Sequence, residues 1–238
     1  MFQSKAAIHF FQLTNAFLAA QNPAQAEKMA AYMQGKFSFL GLPQPQRKAI
    51  QKAFFQTHGY PDTKEIPELV NELWQKDERE FQYLALDLLI DRYKKHMRAT
   101  DIQWFEQLIV QKPWWDTVDL IASHLCGAYF QKYPNQVSHY AEKWINGEQL
   151  WLNRAALLYQ LKYKKETDPF RLMSYCLQWS GSEEFFHQKA IGWALREYSK
   201  VQPDEVVEFV QNQKLKPLSK REALKWVSKH KPELLRPE

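Results

Sequence analysis

The sequence predicts an all-α fold, a HEAT-like α-solenoid of about six antiparallel helix pairs with a concave cleft. Three observations carry this expectation. Apolar residues recur at helical spacing along nearly the whole chain. Gly is scarce, seven in 238 residues, about 3% against a usual ~7%, which suits helices joined by short loops. The helices come in pairs, and the pairs repeat at a fixed spacing.

In order, Lys5–Ala20 carries apolar positions at Ala7, Ile8, Phe11, Leu13, Phe17 and Leu18. Asn22-Pro23 restarts a helix with Pro in its first turn. Phe37–Pro45 reads as a connector, and Gln46–His58 as the next helix. Further helices are expected over 65–76, 78–94, 101–112, 114–132, 134–146, 149–164, 168–179, 183–200, 203–213 and 218–229. The breaks between them fall at Gly, Pro or polar residues such as Gly59-Tyr60-Pro61, Lys112-Pro113, Gly147 and Lys216-Pro217. β-Hairpin signals, Asn-Gly or Asp-Gly flanked by alternating apolar residues, are missing.

The repeat aligns Phe81-x-x-x-Ala85, Trp115-x-x-x-Asp119, Trp151-x-x-x-Ala155 and Phe186-x-x-x-Ala190, at spacings of 34, 36 and 35 residues. Ala223 extends the register, and three positions further on come Leu88, Ala122, Leu158, Trp193 and Trp226. The aligned aromatic and small residue are i and i+4, on one helix face. The small residue marks close approach of helices. In one repeat it is replaced by Asp119, and a carboxylate in an apolar register is costly unless function or a partner requires it. A HEAT-like stack fits better than tetratricopeptide repeats, whose Trp-x-x-Leu-Gly-x-x-Tyr pattern is missing.

Composition narrows the class. Hydrophobic residues at 45% and charged residues at 25% suit a folded chain, expected as a single domain over residues 1–238. The two cysteines, Cys126 and Cys176, have no metal-ligand or disulfide pattern; buried free thiols are expected, with no cofactor and no metal. The start, Met1-Phe2-Gln3-Ser4-Lys5, has no signal-peptide pattern. No apolar run approaches the ~20 residues needed to span a bilayer, so a cytoplasmic protein is expected. The whole net charge of +5 lies in residues 214–238. That basic end is either a polyanion-binding surface or a solvated helix face.

The strongest local feature is Lys112-Pro113-Trp114-Trp115-Asp116-Thr117-Val118-Asp119. Asp116 falls in a first helical turn, where the dipole favours an anion. Asp119 lies deeper, on the Trp115 face, as a reacting carboxylate or as the ion-pair partner of Arg154, which the register places beside it. Gly192, in mid-helix, implies close approach of a neighbouring helix or a ligand. By periodicity alone Trp193 is a core residue. No phosphate loop, His-Glu-x-x-His or Gly-x-Ser-x-Gly occurs.

At these segments the sequence resembles the AlkD-like family of alkylpurine DNA glycosylases, DNA alkylation repair enzymes built from HEAT-like repeats. The resemblance runs through Glu27–Met33, Phe39-Leu40-Gly41, Trp114-Trp115-Asp116-x-Val118-Asp119, Trp151-Leu152-x-Arg154-Ala155-Ala156, Gln188–Trp193 and Pro217–Ala223. The connector Leu42–Lys48 departs from the family pattern. The resemblance implies duplex DNA in the concave cleft and removal of N3- and N7-alkylated purines such as 3-methyladenine and 7-methylguanine. It implies Asp119 as the catalytic carboxylate, Trp115 and Trp193 as active-site aromatics, and Arg154 and Tyr32 as supporting cleft residues. It also implies action without base flipping. Arg47, Lys48, Lys189, Arg196, Lys220, Arg221 and Lys225 are the candidate DNA contacts, and a monomer is expected. The alternatives are a non-catalytic DNA-binding repeat protein and a protein-interaction solenoid.

Cleaving an N-glycosidic bond builds positive charge on the deoxyribose, as in oxocarbenium-like glycoside hydrolysis. An ionised carboxylate stabilises that charge, and indole faces present negative quadrupole to it. A cationic alkylpurine leaves without protonation, so one carboxylate suffices.

Overall fold

The computed structural model describes residues 5–235; residues 1–4 and 236–238, with Arg236 of the basic end, lie outside them. The described residues are helical, with one isolated bridge between Ser38 and Glu78 and no longer strand. The chain forms an α-solenoid of stacked helix pairs and divides into two compact units, Met1–Met97 and Arg98–Glu238.

The first unit contains α1 (Lys5–Ala19), α2 (Pro23–Tyr32), α3 (Gln44–His58), α4 (Ile66–Gln75) and α5 (Arg79–Leu88), which runs on through a π-helical turn (Leu89–Tyr93) and a 3-10 turn (Lys94–His96). Asn22 caps α2: its side chain accepts from the Gln25 N–H at 3.2 Å, with Pro23 at the first turn. Helix α3 starts two residues earlier than the spacing predicts, because Pro45 sits inside its first turn, where a missing N–H costs nothing. The connector before it is held by a buried carboxylate. Glu80 accepts from the N–H groups of Leu40, Gly41 and Leu42 at 2.9–3.0 Å. Gly41 has φ +83°, and a Cβ there would meet the Asn22 carbonyl at 2.1 Å, so the run Phe39-Leu40-Gly41 tolerates only Gly at its end.

The second unit contains α6 (Asp101–Gln111), α7 (Trp115–Leu120), a π-helical turn (Ile121–Cys126), α8 (Gly127–Lys132), a 3-10 turn (Pro134–Gln136) leading into α9 (Val137–Asn146), α10 (Leu150–Leu158), α11 (Pro169–Gln178), α12 (Phe185–Ser199), α13 (Pro203–Asn212), α14 (Pro217–Leu224) and α15 (Val227–His230). The expected helix 114–132 is continuous but widens by a π turn directly after Asp119. There the Ser123 hydroxyl donates to the Asp119 carbonyl at 2.6 Å. Such turns mark strained or functional stretches of helix.

Two expected helices are shorter than the periodicity predicts. The helix expected over 149–164 ends at Leu158. The Gln160 side chain instead grips the backbone of Asp168, accepting from its N–H at 2.8 Å and donating to its carbonyl at 3.3 Å, so the chain turns back early. The stretch 218–229 is interrupted at Lys225-Trp226, between α14 and α15. No helix among the described residues is long and apolar enough to cross a membrane.

The repeat register is visible in burial. Ala85, Ala155, Ala190 and Ala223 are all fully buried, as expected where helices pack closely. Leu88, Ala122 and Leu158 are buried as well. Trp193 and Trp226 break this series: both are half-buried, so the core role that periodicity assigns to Trp193 does not hold. Both cysteines are free and fully buried.

Candidate functional site

The centre of the second unit is a buried ion pair. Asp119 comes from α7 and Arg154 from α10, helices that pack together. Arg154 Nε donates to Asp119 Oδ1 at 2.7 Å and its Nη2 to Oδ2 at 2.8 Å, a two-point pairing that fixes both planes. The third guanidinium nitrogen, Nη1, donates to the Phe186 carbonyl of α12 at 2.7 Å. The side chains of Arg154 and Asp119 are 5% and 11% exposed, so the pair is largely shielded from solvent. Burial pushes the Asp119 carboxyl above the ordinary carboxylate range. The Arg154 hydrogen bonds and charge oppose this, and Asp116 beside it adds a smaller upward push.

An aromatic cluster adjoins Arg154 through Phe186. Trp114, Trp151 and Phe186 pack with centroid separations of 5.5, 5.1 and 4.9 Å. The Arg154 guanidinium lies 5.8 Å from the Phe186 ring centre. Trp115, one turn before Asp119 on α7, is half-buried. Phe185 is 56% exposed and packs edge-on to Phe186 at 5.4 Å. An open depression of about 610 Å³, lined by Pro113, Glu148, Gln149, Leu150 and Trp151, adjoins the cluster. A cavity of about 620 Å³ between Leu157, Leu161, Leu172 and Val201 lies at the other ends of α10 and α12.

Trp193 sits seven residues beyond Phe186 on the same face of α12, a rise of about 10 Å. Lys189 and Arg196 flank it on that face. Both are bound to one carboxylate of α14: Lys189 Nζ reaches Glu222 Oε1 at 3.0 Å and Arg196 Nη1 reaches Oε2 at 2.9 Å. Burial pushes Glu222 up, but Lys189, Arg196 and Lys225 outweigh it and hold the carboxyl below its ordinary range. The close approach expected at Gly192 comes from α14. A Cβ on Gly192 would lie 2.4 Å from Glu222 Cβ and 3.0 Å from the Ser219 carbonyl.

The predicted DNA contacts therefore separate into two groups. Arg154 is 4% exposed with all three nitrogens engaged, and its place is beside Asp119 rather than on a phosphate. Arg47 is 5% exposed and paired with Asp87, with its guanidinium 5.4 Å from the Tyr83 ring centre; it is a structural cation of the first unit. Lys48 is more exposed, at 40%, and pairs with Asp87 at 2.7 Å and Asp91 at 3.7 Å. Lys189 and Arg196 are tied to Glu222, as described. Arg221 and Lys225 are exposed, Lys220 is half-buried, and Tyr32 in the first unit is 71% exposed.

Sequence reasoning did not single out the Phe186 carbonyl that holds Arg154, or the buried Asn153–His187 hydrogen bond beside it. A polar residue next to Arg154 and a histidine next to an aligned aromatic were the available signals. Among the described residues no group of three or more His, Cys, Asp or Glu side chains is placed to hold a metal ion.

The fold has counterparts among known proteins. A family model described as DNA alkylation repair enzyme matches residues 13–227. Among solved structures, the chain is similar to one described as a predicted DNA alkylation repair enzyme from Enterococcus faecalis. The identity is 34% and the TM-score 0.79, covering 88% of this chain and 97% of that chain. No curated protein matches.

Proposed function

Because the chain belongs to the DNA alkylation repair enzyme family, we propose that it is a monofunctional DNA glycosylase releasing cationic N3- and N7-alkylpurines from duplex DNA. The observation that carries this reading is the buried Asp119–Arg154 pair, one turn from the half-buried Trp115. A structural ion pair has no need of ring faces around it. A site that receives a developing sugar cation needs both a negative charge and apolar walls.

The reaction follows from those groups. The C1′–N bond breaks and its electron pair goes to the alkylpurine, neutralising the ring charge. Positive charge then develops on the deoxyribose, where the Asp119 carboxylate stabilises it and the Trp115 face contributes quadrupole attraction. Water adds to C1′, and its proton passes to Asp119 or to solvent. Arg154 holds the carboxylate ionised and oriented, at the cost of offsetting part of its charge. Trp193 extends the same wall along α12. Arg221, Lys225 and Lys220 supply phosphate contacts, with Lys189 and Arg196 joining when phosphate displaces Glu222. Contacts of this kind position the duplex without reading bases. A wall of aromatics beside the carboxylate suits contact with the lesion's sugar rather than extrusion of its base.

The test is incubation with duplex DNA containing 7-methylguanine, with release of the free base measured under single-turnover conditions. Wild-type protein is expected to release it. Asp119→Asn is expected to be slower by roughly 10²–10³, the range for losing one preorganised electrostatic group. Binding without release would assign the chain to non-catalytic recognition, and equal rates for both proteins would remove Asp119 from the chemistry.

A further inference from the structure

Arg154 and its neighbour Asn153 on α10 face Phe186 and its neighbour His187 on α12. Two bonds bridge these helices side by side: Arg154 Nη1 to the Phe186 carbonyl at 2.7 Å, and His187 Nε2 with Asn153 Oδ1 at 3.2 Å. The Asn153 amide orientation is set from behind, because its Nδ2 donates to the carbonyls of Trp144 at 2.6 Å and Gly147 at 2.8 Å. Its Oδ1 therefore faces the imidazole as an acceptor, which puts the proton on His187 Nε2. His187 Nδ1 is then left to accept from the Ser182 hydroxyl at 2.9 Å. The ring also packs against Trp179, tilted by 32° with ring centroids 4.3 Å apart, whose own Nε1 donates to the Ile145 carbonyl at 2.9 Å. Asn153 and His187 are 0% and 3% exposed, so these bonds are made away from water.

This arrangement fixes the peptide between Phe186 and His187 at both ends. Its carbonyl carries Arg154, and its histidine is anchored to the residue preceding Arg154. The guanidinium has its other two nitrogens on Asp119. Rotation of the Phe186 carbonyl would turn the guanidinium plane and, with it, the Asp119 carboxylate.

We propose that Asn153 and His187 are positioning residues for the glycosylase reaction, holding Asp119 through Arg154 and the Phe186 carbonyl. The inference rests on the reading of Asp119 as the reacting carboxylate. It adds two residues that touch neither DNA nor the reacting atoms. An imidazole also suits the place better than an aliphatic side chain would, because it satisfies Asn153 and Ser182 together.

The test is a double-mutant cycle on single-turnover 7-methylguanine release, with duplex affinity measured in parallel by fluorescence anisotropy. The proteins are wild type, Asp119→Asn, His187→Phe and the double variant. His187→Phe keeps a planar ring, slightly larger, and removes both hydrogen bonds. It is expected to slow release about tenfold, since small misplacements of a reacting group carry large rate effects, with affinity changed less than about twofold. In the Asp119→Asn background the same substitution is expected to slow release by less than about twofold, because the group it positions is gone. His187→Gln, which retains a donor for Asn153, is expected to recover most of the rate. If His187→Phe does not fold, Ser182→Ala replaces it in the cycle; it removes the partner of Nδ1 together with the exposed acceptor of the Glu184 N–H, and an expected threefold loss must again vanish beside Asp119→Asn. Equal losses in both backgrounds, an unchanged rate, or a loss confined to affinity would overturn the proposal. Absence of release by wild type, or wild-type release by Asp119→Asn, would overturn the underlying glycosylase reading itself, before His187 is considered.

Discussion

Replacing Arg154 with Met removes the guanidinium while keeping most of the aliphatic stem, and leaves Asp119 buried without its cation. Three hydrogen bonds vanish, two of them to the Asp119 carboxylate at 2.7 and 2.8 Å, and the Phe186 carbonyl loses its Arg154 donor. Breaking a buried pair from one side costs about 3–5 kcal/mol, mostly the desolvation of the charge left behind. Stabilities of folded domains run to about 5–15 kcal/mol, so the loss is a large fraction of the total. The effect depends on pH in a defined direction. Without Arg154, burial and the smaller push of Asp116 act on Asp119 unopposed, and its folded-state carboxyl titrates well above the unfolded value of about 3.9. The penalty is therefore full above the folded pKa and fades as acid protonates Asp119. Urea unfolding of wild type and Arg154→Met at pH 7.5 and pH 5 measures this directly. The deficit of the variant should be about 3–5 kcal/mol at the higher pH and clearly smaller at the lower. A deficit below about 1 kcal/mol, as for an exposed pair, or one equal at both pH values, would refute the picture of a desolvated carboxylate dependent on Arg154.

Other expectations concern the same unit. Gly192→Ala forces α12 away from α14, because the new Cβ meets Glu222 Cβ at 2.4 Å; thermal denaturation should show a loss of about 1–3 kcal/mol, whereas Gly181→Ala, with nothing within 4 Å, should be silent. Burial, reinforced by the Arg154 charge, pulls His187 down to about 4 from 6.5. The unfolded chain thus takes up a proton that the folded one refuses, and stability should fall between those pH values by about 3 kcal/mol; His187→Gln should lack that slope in urea titrations. Release of 7-methylguanine should decline in acid with a midpoint above that of an ordinary aspartate, because burial raises Asp119; a flat acid limb down to pH 4 would contradict this. Arg221→Ala and Lys225→Ala should each weaken duplex binding without changing sequence preference. If each side chain neutralises one phosphate, each should also reduce the log–log salt slope by about 0.9.

Much of the fold was legible because it is written in local periodicity. The helix positions follow from apolar spacing and from Pro and Gly at the breaks. The register Phe81, Trp115, Trp151, Phe186 placed Ala85, Ala155, Ala190 and Ala223 in the core, where they are found. The same alignment put Asp119 in an apolar row with Arg154 beside it, one repeat along, and the two are joined. Where side-chain hydrogen bonds compete with helical propensity, the pattern misled: Gln160 ends α10 early by binding Asp168, and the π turn after Asp119 leaves no signature in spacing.

The sequence by itself determined where the helices lie, which small residues let them touch, and that one repeat carries a carboxylate among aromatics, because these depend on neighbours three or four residues apart. Only the tertiary structure decided which charges have a partner within the chain. Arg47 is taken by Asp87, Arg154 by Asp119, and Lys189 and Arg196 by Glu222, while Arg221 and Lys225 face solvent. A cation's role is set by what another helix brings opposite it, and that choice is made by packing between segments tens of residues apart. For the same reason Trp193, apolar by composition and core by register, emerges half-exposed on the stripe between Lys189 and Arg196.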